Sequence, residues 1–260
     1  MAEWFAGYCS WLCDCYASFN GWLYGLQKEF TTAFIVDDRW KYILKGVQNT
    51  LILTFYALIL GVVLGVIVAA IRTSYDKQYR EMKNPIAKFF LWIGNAISKI
   101  YLTVIRGTPV MVQILIIFFI IMASSRDKML CAVIAFGINS GAYVAEIVRA
   151  GIMSIDAGQN EAGRSLGLNY MQTMWFIILP QAFKNILPSL ANEFIVLLKE
   201  TSIAGYVGVT DLTRAGNQIR SVTYQDFMPL LAVALIYLVL VMFFTWLVGL
   251  LERRLRKNER

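Results

Sequence analysis

The chain contains an uncharged stretch long enough to cross a lipid bilayer. From Gln48 to Ile71 it reads QNTLILTFYALILGVVLGVIVAAI, and about 20 apolar residues in a helix cover a hydrocarbon core. Lipid offers no hydrogen bonds to the backbone, so this segment is predicted to be a transmembrane helix. The pair Gly61 and Gly65 within it marks either a dimer contact or only the frequent use of Gly in membrane helices. A second uncharged stretch, Pro229 to Leu251, predicts the last span.

Three weaker spans are predicted between these two. One runs from about Phe89 to Ala123 and is interrupted by Arg106 and Pro109, so we expect a long kinked helix whose first part is interfacial or buried against protein. The other two run from Met129 to about Ala150 and from about Ile186 to Val209. Both contain charged residues, which are expensive in lipid, so both helices are expected to face a protein interior or a wet cavity. An all-α integral membrane fold with five spans results.

Composition agrees with this fold class and excludes several functions. The 260 residues are 58% hydrophobic and 16% charged, whereas soluble domains are about 25% charged. Histidine is absent, which excludes Ser-His-Asp and Cys-His nucleophilic sites and His-ligated metals. The sequence has no GxxxxGK[ST] phosphate loop, so the chain itself is not expected to hydrolyse ATP. No catalytic residue, cofactor or metal ligand is predicted.

The N-terminal 45 residues form a separate segment ahead of the membrane domain, residues 46–260. Aromatic and Leu residues recur at spacings of three and four from Trp4 to Leu23, which predicts an interfacial helix, a packing surface for another subunit, or disorder. The segment does not resemble a signal peptide, because acidic residues interrupt it and no basic region precedes an apolar one. The thiols of Cys9, Cys13 and Cys15 cannot complete a four-ligand zinc site without histidine. With Cys131, they are interpreted as small apolar residues with a disulfide or redox liability.

The distribution of basic residues predicts the orientation. If the first span runs from outside to inside, about thirteen Lys and Arg residues fall on the cytoplasmic side and about eight outside. The short cytoplasmic segments are the densest, as the positive-inside rule expects. The protein is therefore predicted to be a multi-pass protein of the cell membrane, with its N-terminus outside and its C-terminus in the cytoplasm.

The long hydrophilic segment between the third and fourth spans carries a recognisable motif. It reads NEAGRSLGLNYMQTMWFIILPQAFKNILPSL from Asn160 to Leu190. It resembles the pattern EAA-x3-G-x9-I-x-L-P of ABC-importer permeases, which is matched by Glu161, Ala162, Gly167, Ile177, Leu179 and Pro180. The single departure is Gly163, which stands where the pattern has a second Ala.

The residues of this motif also predict a local structure. A helix from about Ala157 to Leu166 is expected to break at Gly167, where a left-handed conformation is cheap, and to resume from Tyr170 to Ile178 before Pro180. The resemblance implies that this helix-turn-helix docks in a groove of a separate ATPase and transmits its movement to the spans. The alternative is a plain amphipathic loop.

Three further segments resemble the branch of the family that takes up polar amino acids. They are Arg106–Pro109 with Val112 and Gln113, Asn139–Tyr143 with Glu146, and Lys199–Ser202 with Gly208–Leu212. The resemblance covers the chain from about Gly46 to the C-terminus. It implies a permease core paired with itself or a sister permease, two ATPase subunits that use ATP-Mg, and an extracytoplasmic amino-acid-binding protein. Substrate would cross by alternating access.

A zwitterionic amino acid needs hydrogen-bond partners in a low-dielectric passage, and polar residues within spans are the candidates. The predicted substrate-binding set is Gln113, Asn139, Ser140, Gly141, Glu200, Thr201 and Ser202. Each has an alternative role. Asn139 and Ser140 could join helices, and Glu200 could pair with Lys199 or with a partner subunit. Glu146, Arg149 and Arg106 are interpreted as structural or gating charges.

Two other functional classes compete with the importer subunit. A stand-alone secondary transporter or channel would be expected to show an inverted repeat and an ion pathway. No convincing repeat halves occur, and five spans do not divide evenly. A membrane enzyme would require an activated nucleophile or a metal cluster, and the sequence offers neither.

Overall fold

The computed structural model describes residue 18 and residues 20–79 and 82–257, the side chains of residues 256 and 257 excepted. Every regular element in these ranges is helical. Most of the N-terminal aromatic pattern, with Cys9, Cys13 and Cys15, lies outside the described residues. Residues 20–30 are helical and lead through a π-turn, Thr31–Ile35, and a short 3₁₀ turn, Val36–Asp38, into the membrane domain.

The membrane domain consists of long helices joined by shorter ones. In chain order the helices are α1 (Trp40–Gln78), α2 (Pro85–Gly107), α3 (Val110–Ile116), α4 (Lys128–Met153), α5 (Ala157–Ser165), α6 (Tyr170–Thr173), α7 (Leu179–Glu200), α8 (Leu212–Thr223) and α9 (Phe227–Lys257). Two π-turns, Ile117–Ile121 and Met174–Ile178, follow α3 and α6, and a 3₁₀ helix, Thr201–Val207, follows α7.

Four helices of the described chain, α1, α2, α4 and α9, are long and apolar enough to cross a membrane. The fourth predicted span corresponds to α7 and the 3₁₀ helix after it. With 22 residues α7 is long enough to span, but it is less apolar than the other four. It lies inside the bundle, where Leu197 and Leu198 are fully buried. Burial against protein explains how a helix with several charges is accommodated at this position.

The predicted kink in the second span is a complete break. Thr108 has φ −122° and ψ 146°, and Pro109 has φ −63° and ψ 135°. Both residues are therefore extended, and α2 and α3 are separate helices rather than one bent helix. Pro109 cannot donate a backbone hydrogen bond and disfavours the helical conformation at the residue before it.

Side-chain caps define where several helices begin. Asn84 accepts hydrogen bonds from the backbone N–H groups of Ile86 and Ala87, ahead of Pro85 at the first position of α2. Asp127 caps α4 by accepting from Leu130 N at 3.0 Å. These caps satisfy backbone donors that a helix leaves free at its start.

The centre of the fold is the close packing of α1 on α4. A Cβ atom added at Gly61 would lie 3.0 Å from Ser140 Cβ, and one at Gly65 would lie 2.6 Å from Val144 Cβ. The two glycines therefore let helices of the same chain approach each other. The interpretation of this pair as a dimer contact is wrong.

The described end of the N-terminal segment packs onto the membrane domain. Ala33 and Phe34 are buried and belong to one apolar cluster with Ile219 of α8 and Val233 of α9. The division of the chain at residue 45 and the interfacial position of the segment stay predictions.

Candidate functional site

The predicted helix-turn-helix is present after α4. Helix α5 is capped by Asp156, which accepts from Gly158 N, and Gly167 has φ +81°. Only Gly adopts this left-handed conformation at little cost. After the turn, Asn169 and Gln172 form a reciprocal capping box, with both hydrogen bonds at 2.9 Å. The prediction of two helices separated at Gly167 is confirmed.

The departure from the motif at Gly163 has a steric explanation. Gly163 is the buried residue of α5, and a Cβ atom there would lie 2.7 Å from Thr173 Cγ2 and 2.8 Å from Thr173 Oγ1. Thr173 is itself fully buried. Glycine therefore allows α5 to lie directly against α6, where alanine would collide with Thr173.

The prediction that the second helix stops before Pro180 is wrong. The chain is helical without interruption from Tyr170 to Glu200, and a π-turn precedes Pro180. The Leu179 N–H donates to Met174 O, five residues back. Pro180, at the second position of α7, therefore does not end the helix. The backbone of α6 is continuous with that of α7.

Large apolar side chains are exposed on the helix-turn-helix. Phe176 is 74% exposed and Leu166 78% exposed, and Met171 and Trp175 are exposed as well. Several large apolar side chains exposed within one short segment favour a site of protein interaction. We call these four residues the apolar patch. The sequence motif does not include them, and the one signal for them is the run of apolar residues inside a segment predicted to lie outside the membrane.

The fixed residues of the motif differ in how exposed they are. Glu161, Ala162 and Pro180 are exposed, and Leu179 is half-buried. Nearby, burial raises the pKa of the Tyr170 hydroxyl above its ordinary value. The segment thus combines a packed inner side with an outer side that offers one carboxylate and several apolar groups.

Two of the predicted substrate-binding residues, Gln113 and Asn139, are bonded to each other. Both are buried, and Asn139 Nδ2 donates to Gln113 Oε1 at 3.0 Å. Gln113 Nε2 donates to Ile105 O, Thr108 O and Thr108 Oγ1 at 2.7 to 3.0 Å. Gln113 therefore satisfies carbonyl groups that the break between α2 and α3 leaves without helical partners.

Ser140 and Gly141 lie at other contacts of α4. Ser140 Oγ donates to Glu193 Oε1 of α7 at 2.9 Å, and Glu193 is 8% exposed. A Cβ atom at Gly141 would lie 2.8 Å from the Tyr101 hydroxyl, which donates to Ile138 O. The predicted substrate-binding set omits Glu193, although an acidic residue inside a predicted span is itself a signal of a buried polar contact.

The remaining three candidates lie at the end of α7. Thr201 is fully buried and its hydroxyl donates to Leu198 O at 2.8 Å. Glu200 is half-buried, and in the described chain no Lys or Arg nitrogen lies within 4.0 Å of its carboxylate, so the alternative of an ion pair with Lys199 is not formed. Ser202 lines a cleft of about 370 Å³. The seven candidates thus occupy three places rather than one pocket.

A network of charged residues joins α1, α2 and α4. Glu146 lies 3.3 Å from Arg72, 3.8 Å from Arg106 and 3.6 Å from Arg149, and Arg149 lies 3.7 Å from Asp76. The Arg106 guanidinium also lies over the Tyr143 ring, 5.7 Å from its centre. This arrangement agrees with the interpretation of Glu146 and Arg149 as structural charges, because paired charges are tolerated where single ones are not.

The described chain is a bundle of long apolar helices with a helix-turn-helix, α5–α6, outside the spans. Comparison with known proteins identifies the family. Residues 86–257 match the family model described as "Binding-protein-dependent transport system inner membrane component". The chain belongs to this family. It is an integral membrane transport subunit of the permease type, as the resemblance predicts, and not an enzyme.

Characterised relatives align over almost their whole length. The arginine transport system permease protein ArtQ of Bacillus subtilis is 37% identical over 221 residues, which cover 84% of this chain and 94% of the relative. The glutamine transport system permease protein GlnP of Escherichia coli K12 is 34% identical over 218 residues, covering 82% and 93%.

Solved structures show the same fold. A chain from the crystal structure of an amino acid ABC transporter with histidines is 41% identical, with a TM-score of 0.73, and the match covers 85% of this chain and 98% of that one. A chain of the MetNI methionine ABC transporter is 20% identical, with a TM-score of 0.70 and coverage of 84% and 98%. The second likeness supports the fold alone.

Proposed function

We propose that this chain is the permease subunit through which a polar amino acid crosses the membrane inward, by alternating access, in an ABC importer. The observation that carries the proposal is the helix-turn-helix of α5 and α6 with its exposed apolar patch. The relatives named for arginine and glutamine transport support an amino-acid substrate. The chain needs no cofactor of its own, because ATP-Mg is used by partner subunits.

The apolar patch is the contact surface for the ATPase. Phe176 and Leu166 lie on a segment outside the helices that could span a membrane, and the rest of the described chain leaves them exposed. Aromatic side chains of this kind are the usual anchors of protein interfaces. Force applied to the patch would reach α7 through the continuous helix from Tyr170 to Glu200, and packed helices move as units.

Two further partners complete the importer. An identical or homologous permease would cover part of the exposed apolar surface of α2, where Ile97, Ile100 and Val104 are exposed. An extracytoplasmic amino-acid-binding protein would deliver substrate to the opposite side from the ATPase. In the proposed orientation, the N-terminus lies outside, and the α5–α6 segment and the C-terminus lie in the cytoplasm, on the side richer in basic residues.

A stand-alone secondary transporter or channel would leave the helix-turn-helix without a role. Such a protein has no need for an apolar patch outside the membrane, and exposed patches of that kind are costly unless a partner covers them. The importer subunit is the better explanation of the patch.

Reconstitution tests the proposal. The permease is co-expressed with the ATPase and the binding protein from its neighbouring reading frames, purified, and placed in liposomes with ATP inside or outside. Uptake of radiolabelled L-glutamine or L-arginine that requires the ATPase, the binding protein and ATP on the ATPase side is expected. Uptake by the permease alone, or a permease that does not retain the ATPase through purification, would contradict it.

A further inference from the structure

A cleft lies between the 3₁₀ helix Thr201–Val207 and α8. Its volume is about 370 Å³, within the range of about 300 to 1,000 Å³ that small-molecule sites occupy. Gly205 forms part of its floor. The other lining residues are Ser202, Tyr206, Thr213, Arg214, Asn217, Gln218 and Ser221.

One formal charge lines the cleft, and it belongs to Arg214. This guanidinium donates through one nitrogen to Gly205 O. No other hydrogen bond of the guanidinium, and no acidic partner for it, occurs in the described chain. Arg214 lines the cleft and its remaining N–H groups are unpaired in the described chain, and a guanidinium binds a carboxylate through two parallel hydrogen bonds.

Gln218 supplies an acceptor on the same helix. Its Oε1 is buried and has no hydrogen-bond partner in the described chain. An unpaired buried amide oxygen costs free energy unless a donor reaches it. Gln218 also lines the cleft, so an ammonium group bound there is a candidate donor to this oxygen.

The remaining polar groups of the cleft are neutral. Ser202 and Asn217 contribute a hydroxyl and an amide, and Asn217 Oδ1 already accepts from Arg220. Asp211, which caps α8, is fully buried and accepts hydrogen bonds from the backbone N–H groups of Thr213 and Arg214.

We infer that this cleft is a binding site for the zwitterionic end of an α-amino acid, with Arg214 bound to the α-carboxylate and Gln218 to the α-ammonium. Ser202, predicted from the sequence as a substrate-binding residue, completes the wall. In the proposed orientation the connection between α7 and α9 is external, so the cleft is an entry site for substrate. The inference rests on the proposed function, since it assigns one site to the substrate of that transport.

Direct binding to the purified permease–ATPase complex, without the binding protein, tests the inference. Equilibrium dialysis with radiolabelled L-glutamine and L-arginine should show binding of both with affinities within about tenfold, because they share the recognised end. Two analogues of glutamine each lack one charged group: 4-aminobutanamide has no α-carboxylate, and glutaramic acid has no α-ammonium. Each should compete at least about tenfold more weakly than L-glutamine.

Variants of the lining residues identify the site. Gln218→Met keeps the size of the side chain and removes the unpaired oxygen, so we expect binding about tenfold weaker with no fall in melting temperature. Gln225→Met is the matched control, because Gln225 Oε1 is also buried without a partner in the described chain but does not line the cleft. It should leave binding unchanged. Arg214→Lys retains a donor for Gly205 O but cannot form two parallel hydrogen bonds with a carboxylate. The ratio of the affinities for L-glutamine and 4-aminobutanamide should therefore fall.

Each contrary result has a distinct meaning. Equal losses in Gln218→Met and Gln225→Met would overturn the site, and if Gln218→Met fails to assemble, Ser202→Ala replaces it in the same comparison. Variants that keep amino-acid binding but lose the binding protein would show that the cleft is a protein contact, which also overturns the inference. A further result is a wild-type complex that transports glutamine with the binding protein and ATP but shows no glutamine binding in the absence of the binding protein. That result would refute the entry site and leave the proposed function intact. A complex with neither ATP-driven uptake nor a retained ATPase would refute the proposed function itself.

Discussion

Gly163 of α5 and Thr173 of α6 are in such close contact that a Cβ atom at position 163 would lie 2.7 Å from Thr173 Cγ2. Gly163→Ala, which restores the second Ala of the motif, is therefore expected to destabilise the helix-turn-helix by about 1–3 kcal/mol, as overpacking of a close contact does. The measurement is the melting temperature of the permease–ATPase complex together with the amount of ATPase retained.

The partner residue supplies the control for this prediction. Thr173→Ala removes both contacting atoms, so the double variant Gly163→Ala/Thr173→Ala should recover most of the loss caused by Gly163→Ala. A double-mutant cycle measures this coupling. Additive effects would show that the two residues do not compete for the same space.

Gly167 tests the turn rather than the packing. A Cβ atom at this position would meet no atom within 4 Å, but φ is +81°. Gly167→Val should therefore cost about 1–3 kcal/mol through backbone strain alone and reduce ATPase association before it affects folding. Gly167→Asn is the control, because Asn tolerates this conformation better than other residues. Wild-type uptake and ATPase retention in Gly167→Val would contradict the motif assignment.

The apolar patch is tested by a polar substitution at its most exposed aromatic residue. Phe176→Gln should leave the stability of the permease unchanged, since the ring is largely exposed. ATPase affinity should fall by a factor of about 30, which corresponds to the roughly 2 kcal/mol of an interface anchor. The control is Tyr224→Asn, at a residue that is 92% exposed and lies far along the chain from the patch. Equal loss in both variants would argue against a local docking surface.

Much of this site could be predicted because the relevant information is local. A glycine at Gly167 between two amphipathic segments specifies a turn by its own conformational freedom, and the uncharged stretch from Gln48 to Ile71 specifies a span by length alone. The prediction failed at Pro180 because the π-turn Met174–Ile178 precedes it, and the helical backbone continues through the proline into α7. Whether such a turn forms is decided by the surrounding fold and not by the proline itself.

The partners of individual residues could not be predicted for the same reason. Gly61 and Gly65 are small in any context, but only the fold shows that they face Ser140 and Val144 of the same chain. Likewise the pairing of Ser140 with Glu193 joins residues 53 positions apart. Long-range contacts of this kind decide whether a polar residue within a span packs or binds substrate.

The orientation can be read with single cysteines in a background without native Cys. Probes at Asp127 and Thr223 should be labelled by an impermeant thiol reagent from outside, because these residues flank α4 and α9 on the side predicted to be external. Probes at Asn84 and Asn160 should be labelled only after permeabilisation. External labelling at Asn160 would place the α5–α6 segment on the wrong side for an ATPase that acts in the cytoplasm.

Variants at Asn139 and Glu200 distinguish residues that pack helices together from residues that contact substrate in the passage. Asn139 is 3% exposed and is bonded to Gln113, so Asn139→Ala leaves a buried acceptor unpaired. An interhelical hydrogen bond in a membrane is worth about 0.6–2 kcal/mol, and this variant should lower yield and melting temperature while transport per assembled complex is retained.

Glu200 has the opposite expectation. In the described chain its carboxylate has no basic group within 4.0 Å, and it lies two residues before Ser202, which lines the cleft of the 3₁₀ helix and α8. Glu200→Gln preserves size and should leave the melting temperature unchanged while uptake per assembled complex falls. The decisive measurement compares L-arginine with L-glutamine. A loss confined to L-arginine would show that Glu200 reads the charge of the substrate, whereas an equal loss would indicate gating or coupling. Unchanged uptake of both, at unchanged assembly, would remove Glu200 from the passage.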